Sequence, residues 1–299
     1  MQALILTTKF TKETKVIDVM KTYLDCIPCF LRQTLETARV STRDERKIRE
    51  ALDKVCLIIP KISFDAPPPE IGREIYKIIS RVTGVEDPYY NIKKEHTRYL
   101  LALYPDIKKR IASSSDPLLS AIKFAIAGNI IDFGPNSDFD IEKEIEKALH
   151  YNFAIFDYTE FKKALQNSHN ILYLADNAGE TVVDRILIEE IGKPIKYAVK
   201  GRPIINDATL ENARDAGVHR IAEIISTGCD APGTILKYCS KDFLKIYKNA
   251  NMIISKGQGN YEALSGENRP IFFLLKAKCP IIARDLGVEN GDIILKKGG

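Results

Sequence analysis

Beyond residue 169 the chain repeats a pattern that few folds can absorb. Short apolar runs at 171–175, 195–199, 221–226, 252–255, 271–275 and 293–295 alternate with stretches of helical spacing. Between the first two runs, Val183, Ile186, Leu187 and Ile191 fall on one helix face. Between the second and third, residues 206–216 read as a helix that stops at Gly217, the usual residue after a helix end. Apolar runs this short, with helices as spacers, are parallel strands joined by right-handed crossovers. A three-layer α/β/α domain over residues 151–299 is the expected result.

The first half has a different grammar. From Tyr23 to His150 the apolar spacing is helical, beginning with Ile27, Phe30, Leu31, Leu35 and Ala38 on one face. Pro28 is tolerable only in a first turn, so this helix starts near Asp25. Ser41-Thr42 opens a second helix carrying Ile48, Leu52, Val55 and Cys56, and Pro67-Pro68-Pro69 blocks helix until about Ile71. A long helix runs from Asp87-Pro88 to Tyr104, and Asp116-Pro117 reads as N-cap and first residue of another reaching about Ile131. The expectation is an all-helical domain over 20–150, joined to the α/β domain somewhere in 150–168. Residues 1–19 mix a short apolar patch with lysines and offer no cleavage site, which points to an N-terminal extension rather than a secretory signal.

Composition excludes several classes. With 45% hydrophobic and 28% charged residues the chain is neither disordered nor fibrous, and no apolar run approaches the roughly 18 residues of a spanning helix. The 44 basic and 40 acidic residues nearly cancel, and no basic stripe marks a nucleic-acid surface. Six cysteines are too few for a disulfide scaffold, so a cytoplasmic protein with small-molecule partners is expected. No sequence feature sets the oligomeric state.

In open parallel sheets ligands bind beyond the carboxyl ends of the strands. Four such ends carry glycine with polar side chains: Asp176-Asn177-Ala178-Gly179-Glu180, Lys200-Gly201-Arg202-Pro203 leading to Asn206-Asp207, Thr227-Gly228-Cys229-Asp230, and Ser255-Lys256-Gly257-Gln258-Gly259. Singly, each has a bland reading: an aspartate after a strand is often an N-cap, and a lysine is usually a solvated charge. Together they describe a site. Asp176, Asn177 and Asp207 are hard oxygen donors suited to Mg²⁺ or Mn²⁺, and Lys200, Arg202 and Lys256 are cations for an anionic substrate. Carboxylates for a metal beside cations for phosphate fit phosphate-ester hydrolysis. There is no Walker motif and no dinucleotide fingerprint.

The same segments, DNAGE at 176–180, KGRPIINDAT at 200–209, GCDAPGT at 228–234 and SKGQGNYE at 255–262, resemble the metal-dependent damage-control phosphatase family. YLDCIPCFLRQ at 23–33 and AGNIIDFG at 127–134 are similar to its cysteine-containing prokaryotic branch, so the resemblance spans nearly the whole chain. It implies a helical domain packed on a Rossmann-like α/β/α sandwich, with a divalent cofactor, Mn²⁺, Co²⁺ or Ni²⁺, at Asp176, Asn177 and Asp207, and Mg²⁺ as a further possibility. It also implies a substrate pocket with Glu180, Lys256 and Gly257, and Asn129 and Asp132 as its far wall; Lys200 and Asn206 complete the expected phosphate side. Sugar-phosphate-hydrolysing relatives carry Arg-Thr-x-Lys near the C-terminus. Here the corresponding segment is Phe273-Leu274-Leu275-Lys276, which keeps only the lysine. Asp176 and Asp207 are the expected catalytic carboxylates. Two alternatives of other classes are an S-adenosylmethionine-dependent carboxyl methyltransferase and a non-catalytic phosphometabolite-binding protein. The first is disfavoured by the basic Lys200-Gly201-Arg202 end of the second strand, where a ribose-binding acid belongs.

Cys26 and Cys29 have CxxC spacing without the preceding strand of a thioredoxin-like site. Buried or pocket-lining thiols come first in expectation, a disulfide second and a metal third. Cys229 is expected to be buried, and the four histidines, far apart in sequence, receive no role.

Overall fold

The computed structural model describes residues 20–128, 150 and 152–298. The expected extension over 1–19, and Asn129 and Asp132, lie outside the described residues.

Among the described residues, five α-helices come before the sheet. α1 (Cys26–Ser41) starts one residue after Asp25, as Pro28 requires. α2 (Glu45–Ile58) starts later than the Ser41-Thr42 expectation, because Asp44 is the cap whose carboxylate accepts from the Arg46 N–H. α3 (Pro68–Thr83) begins inside the triple proline instead of after it. A proline in the first turn lacks only an N–H that would have no helical partner there. α4 (Tyr90–Ala112) runs through Pro105 instead of stopping at Tyr104. α5 (Pro117–Ala127) is capped by Asp116, which accepts from the Leu119 N–H, and ends short of Ile131.

The rest alternates as expected, with one addition. β1 (Phe153–Phe156) and α6 (Tyr158–Asn167) occupy the segment expected to be a linker. They are followed by β2 (Ile171–Leu174), α7 (Thr181–Ile191), β3 (Ile195–Val199), α8 (Leu210–Asp215) and β4 (Glu223–Ser226). Then come α9 (Lys241–Asn249), β5 (Met252–Lys256), α10 (Gln258–Leu264), β6 (Ile271–Lys276), α11 (Pro280–Leu286) and β7 (Ile293–Lys297). The strands form one sheet in the order β1-β7-β6-β5-β2-β3-β4. Every neighbouring pair is parallel except β6 with β7, so β1 and β7 run against the other five strands and the all-parallel expectation holds for β2–β6.

Side-chain alternation splits the strands between two cores. Ile171 and Tyr173 of β2 join one apolar cluster with α6 and α7, while Leu172 and Leu174 join another with α9, α10 and α11. Helices therefore cover both faces, giving the three layers. The helical half is itself divided. Phe30, Ala38, Ile48, Val55, Ile75 and Ile79 form a core private to α1–α3. Leu100, Ile107 and Ile111 of α4, and Ala121 to Ala127 of α5, belong to the same cluster as the sheet and α7. The apolar core thus runs straight through the expected boundary at 150. Among the described residues no helix is long and apolar enough to cross a membrane.

Phe272, fully buried at the centre of the sheet, meets Phe161 of α6 edge-on at 5.2 Å between centroids. Phe272→Ala is expected to lower stability by about 3–5 kcal/mol, the usual cost of an aromatic cavity. Urea unfolding should show this as a lower midpoint with an unchanged slope.

Candidate active site

Strand order alone says where a site belongs. From β2 the chain moves outward through β3 to β4, then crosses back so that β5 pairs with the other side of β2. The loops after β2 and β5 diverge at that switch point and leave a crevice at their carboxyl ends. The loop after β2 is zipped to the loop after β3: the Ala208 N–H donates to the Asp176 carbonyl at 2.8 Å, and the Ala178 N–H to the Asn206 carbonyl at 2.8 Å. Asn177 and Asp207 form an isolated antiparallel bridge. Two segments distant in sequence thus present Asp176 and Asp207 side by side. Asp207 does not open a helix, contrary to the sequence reading; α8 is capped by Thr209 with Asn212, and Asp207 lies before it in the bridge.

A cleft of about 480 Å³ covers this point. Asp176, Asn177, Glu180, Asn206 and Asp207 line its floor, and Gln258 and Lys278 one side. The helical half closes it with Gln33 and Glu36 of α1 and with Lys93, His96 and Leu100 of α4. Gly179 lets α4 approach, since a Cβ there would stand 3.3 Å from the His96 Cβ. Sequence reasoning missed Lys93, His96 and Lys278. Alone in their segments they carry no pattern; only the docking of α4 and the turn after β6 make them neighbours of the aspartates.

Several expected residues are placed differently. Lys256, expected on the substrate, is fully buried, and its ammonium donates to Glu180 Oε2 and Asp184 Oδ1, both at 2.7 Å. Tyr173 and Tyr197 donate to the two oxygens of Asp184, each at 2.7 Å. Burial works against the ammonium, but Asp184 and Glu180 outweigh it and hold its pKa above the ordinary lysine value. Glu180 in turn accepts at 2.6 Å from the Asn177 amide, whose nitrogen also lies 3.3 Å from Asp176 Oδ2. Lys256 therefore orients the floor of the cleft from below. Lys200 is likewise buried, its ammonium 3.4 Å from Asp207 Oδ2. Lys276 ends β6 away from the cleft, and the lysine that lines it is Lys278, whose N–H donates to Gln258 Oε1 at 3.3 Å. Cys26 is buried in the α1–α3 core and Cys229 is buried too; all six cysteines are free thiols. Cys29 accepts at 3.3 Å from Gln33, itself a cleft residue.

The chemistry of the floor suits a hard cation. Burial, and then the charge of Asp207, push the Asp176 carboxyl above its usual range, and burial does the same to Asp207. Two such carboxylates side by side favour a cation between them. Asp207 Oδ2 is buried without a hydrogen-bond partner, the nearby Lys200 ammonium being an ion-pair neighbour outside hydrogen-bond geometry. Among the described residues no group of three or more His, Cys, Asp or Glu side chains is arranged to hold a metal. The donors here are two carboxylates and one amide, the set that Mg²⁺ or Mn²⁺ completes with water or substrate oxygens. Gly257 makes room for it: at φ 78 it packs on Asp176, and a Cβ would stand 2.0 Å from Asp176 Oδ2. Gly257→Ala should therefore displace the Asp176 carboxylate. Calorimetric titration with Mn²⁺ is expected to show affinity at least about tenfold weaker, the scale seen when a ligand's support is removed.

These observations accord with known proteins. The family model described as the damage-control phosphatase ARMT1-like domain matches residues 22–294. An uncharacterised protein of Methanocaldococcus jannaschii is 38% identical over 287 residues, covering 91% of this chain and 94% of that one. The damage-control phosphatase PH1575 of Pyrococcus horikoshii is 38% identical over 284 residues, covering 92% and 97%. A damage-control phosphatase of Archaeoglobus fulgidus is 34% identical over 282 residues, covering 91% and 97%. A crystal structure of the Pyrococcus horikoshii protein, described as a DUF89 family protein, superposes with a TM-score of 0.87 at 35% identity, over 94% of this chain and all of that one. Sequence and fold agree over nearly the whole length, and the chain belongs to the damage-control phosphatase family.

Proposed function

We propose that this protein is a metal-dependent phosphatase that hydrolyses phosphate monoesters of small metabolites, releasing an alcohol and inorganic phosphate. Damaged or surplus nucleotides, nucleotide precursors and sugar phosphates are the substrate classes in view. Family membership supports a phosphatase role. The observation that carries the reading is the pair of buried aspartates, 176 and 207, bridged by backbone at the floor of a cleft that also holds Lys93, His96 and Lys278.

Asp176, Asn177 and Asp207 would hold the divalent cation, Mn²⁺, Co²⁺, Ni²⁺ or Mg²⁺. When bound, it supplies Lewis-acid polarisation of a phosphate oxygen. Lys278, on the side of the cleft, and Lys93, on its roof, offset the charge of the phosphoryl group. Lys93 is itself steadied by Asp87 at 2.6 Å. Asn206 and the amides at the start of α7, around Gly179 and Glu180, line the same space and offer hydrogen bonds to phosphate oxygens. One of the two aspartates accepts the proton of the attacking water or attacks phosphorus itself. Hydrolysis of an isotopically chiral thiophosphate ester separates these routes: direct attack by water inverts phosphorus, whereas an aspartyl-phosphate formed and then hydrolysed, two displacements, retains its configuration.

The test is phosphate release from 4-nitrophenyl phosphate after chelator treatment, with Mn²⁺, Co²⁺, Ni²⁺ and Mg²⁺ restored one at a time. Turnover should return with at least one metal. Asp176→Ala should lower it by at least about a hundredfold, the scale of losing one electrostatic stabiliser, with an unchanged circular dichroism spectrum. Folded wild-type protein that releases no phosphate with any metal would contradict the proposal. S-adenosylmethionine binding would then decide between the methyltransferase and the binding-protein alternatives.

A further inference from the structure

A second cavity, of about 160 Å³, lies beside the cleft. It is walled by α1 and α3 on one side and by the loop after β3 on the other, and the two spaces abut. Ile205 lines both, and Asp87, in the second cavity, pairs at 2.6 Å with Lys93, which lines the cleft. Ile205 is also exceptional in its backbone. Among the described residues it is the one non-glycine at positive φ, 44°. For a β-branched side chain that conformation is strained, and it persists only where the surroundings fix it. Here they do: the Asp207 N–H donates to the Ile204 carbonyl at 3.0 Å, and Asn206 is tied to Ala178. A glycine would fit this backbone without strain. What isoleucine adds is a side chain standing between two cavities.

The second cavity has a definite chemistry. Thr37, Tyr76 and Tyr89 place hydroxyls on its wall, with Thr37 Oγ1 and Tyr89 Oη 3.1 Å apart. Arg202 adds a donor, and Asp87 Oδ1 is a buried acceptor without a hydrogen-bond partner. Ile79, Ile204 and Ile205 supply apolar surface between these groups. Donors, acceptors and apolar faces in one space suit a ring bearing hydroxyls. A cavity of roughly 150 Å³ accommodates one six-membered ring, so two linked rings exceed it.

We infer that the two cavities are one substrate site, with Ile205 as its partition: the cleft takes the phosphate and the second cavity takes a leaving group of one hydroxylated ring. This rests on the phosphatase reading and adds specificity to it. Ser80 reaches only the second cavity, so Ser80→Phe fills it without touching the cleft. Arg202, expected from sequence as a cation for the anionic substrate, lines the second cavity and not the cleft, and on its exposed loop it gives a second variant with little risk to folding.

The experiment compares ribose 5-phosphate with glycerol 3-phosphate, whose short acyclic leaving group does not need the second cavity. Wild type, Ser80→Phe and Arg202→Ala are assayed with the metal that supports 4-nitrophenyl phosphate hydrolysis. Wild type is expected to favour ribose 5-phosphate in kcat/KM by about tenfold, and both variants to remove that preference by raising its KM alone. Ile205→Gly is expected to raise kcat/KM for the two-ring substrate uridine 5′-monophosphate relative to ribose 5-phosphate. Equal wild-type use of the two small probes, or variants that lower both alike, would overturn the partition and leave the phosphatase reading standing. No release from any probe overturns that reading and the partition with it.

Discussion

One buried ammonium organises the floor of this site. Lys256, at the carboxyl end of β5, is buried from solvent with its ammonium on Glu180 and Asp184 at 2.7 Å. A buried charge is tolerated when its partners are complete, and removing one member of such a set costs about 3–5 kcal/mol. Completion comes from the sheet itself: Tyr173 of β2 and Tyr197 of β3 stand side by side, 5.2 Å between ring centroids, and saturate Asp184. Glu180 is thereby fixed from below and fixes Asn177 above it. The chain of contacts ends at Asp176, against which Gly257, the residue after Lys256, is packed. Charges, tyrosines and glycine from three strands and one helix thus set the direction of a single carboxylate.

The helical half is joined to this floor by packing. α4 and α5 share their apolar core with the sheet and α7, so the wall carrying Lys93 and His96 is as firmly seated as the strands. α1–α3 have a core of their own and meet the sheet unit through α3, where Pro69 and Gly72 pack on the 232–233 turn beside polar contacts. Arg73 of α3 pairs with Asp230 and lies 4.0 Å over the Tyr238 ring, while Lys237 reaches Glu70 at 2.5 Å. Both cavities open along this seam. Side chains from α1 line both cavities and side chains from α3 line the second, while the acidic floor of the cleft comes from the sheet loops.

Much was legible in the sequence because it depends on local pattern. The alternation after residue 169 comes from side chains that must point to two buried faces, and it foretold the sandwich and the loops after β2 and β3 in which Asp176 and Asp207 lie. Asp116 followed by Pro117 fixed a helix start, since capping is decided within one turn. Other features escaped for physical reasons. β1 is a four-residue edge strand, half exposed, and its apolar run Phe153–Phe156 is too short for periodicity to tell it from a linker. β7 slots between β1 and β6, parallel to the first and antiparallel to the second, a pairing that no local pattern encodes. The triple proline reads as a block because a first turn, where proline is harmless, is visible only once the helix exists.

The sequence by itself determined the three layers, the family, and the loops in which the acidic residues sit. Tertiary structure alone decided what each side chain faces. Lys256 ends β5 and Lys278 follows β6; the first is buried beneath the floor and the second lines the cleft. His96 and Lys93 are ordinary helix residues until α4 docks, and Ile205 is an ordinary apolar residue until the β2 and β3 loops hold it at φ 44° between two cavities. Pattern along the chain encodes burial, because burial repeats with the period of the element. Direction within a site does not repeat, and it is fixed only when segments far apart in sequence close on one another.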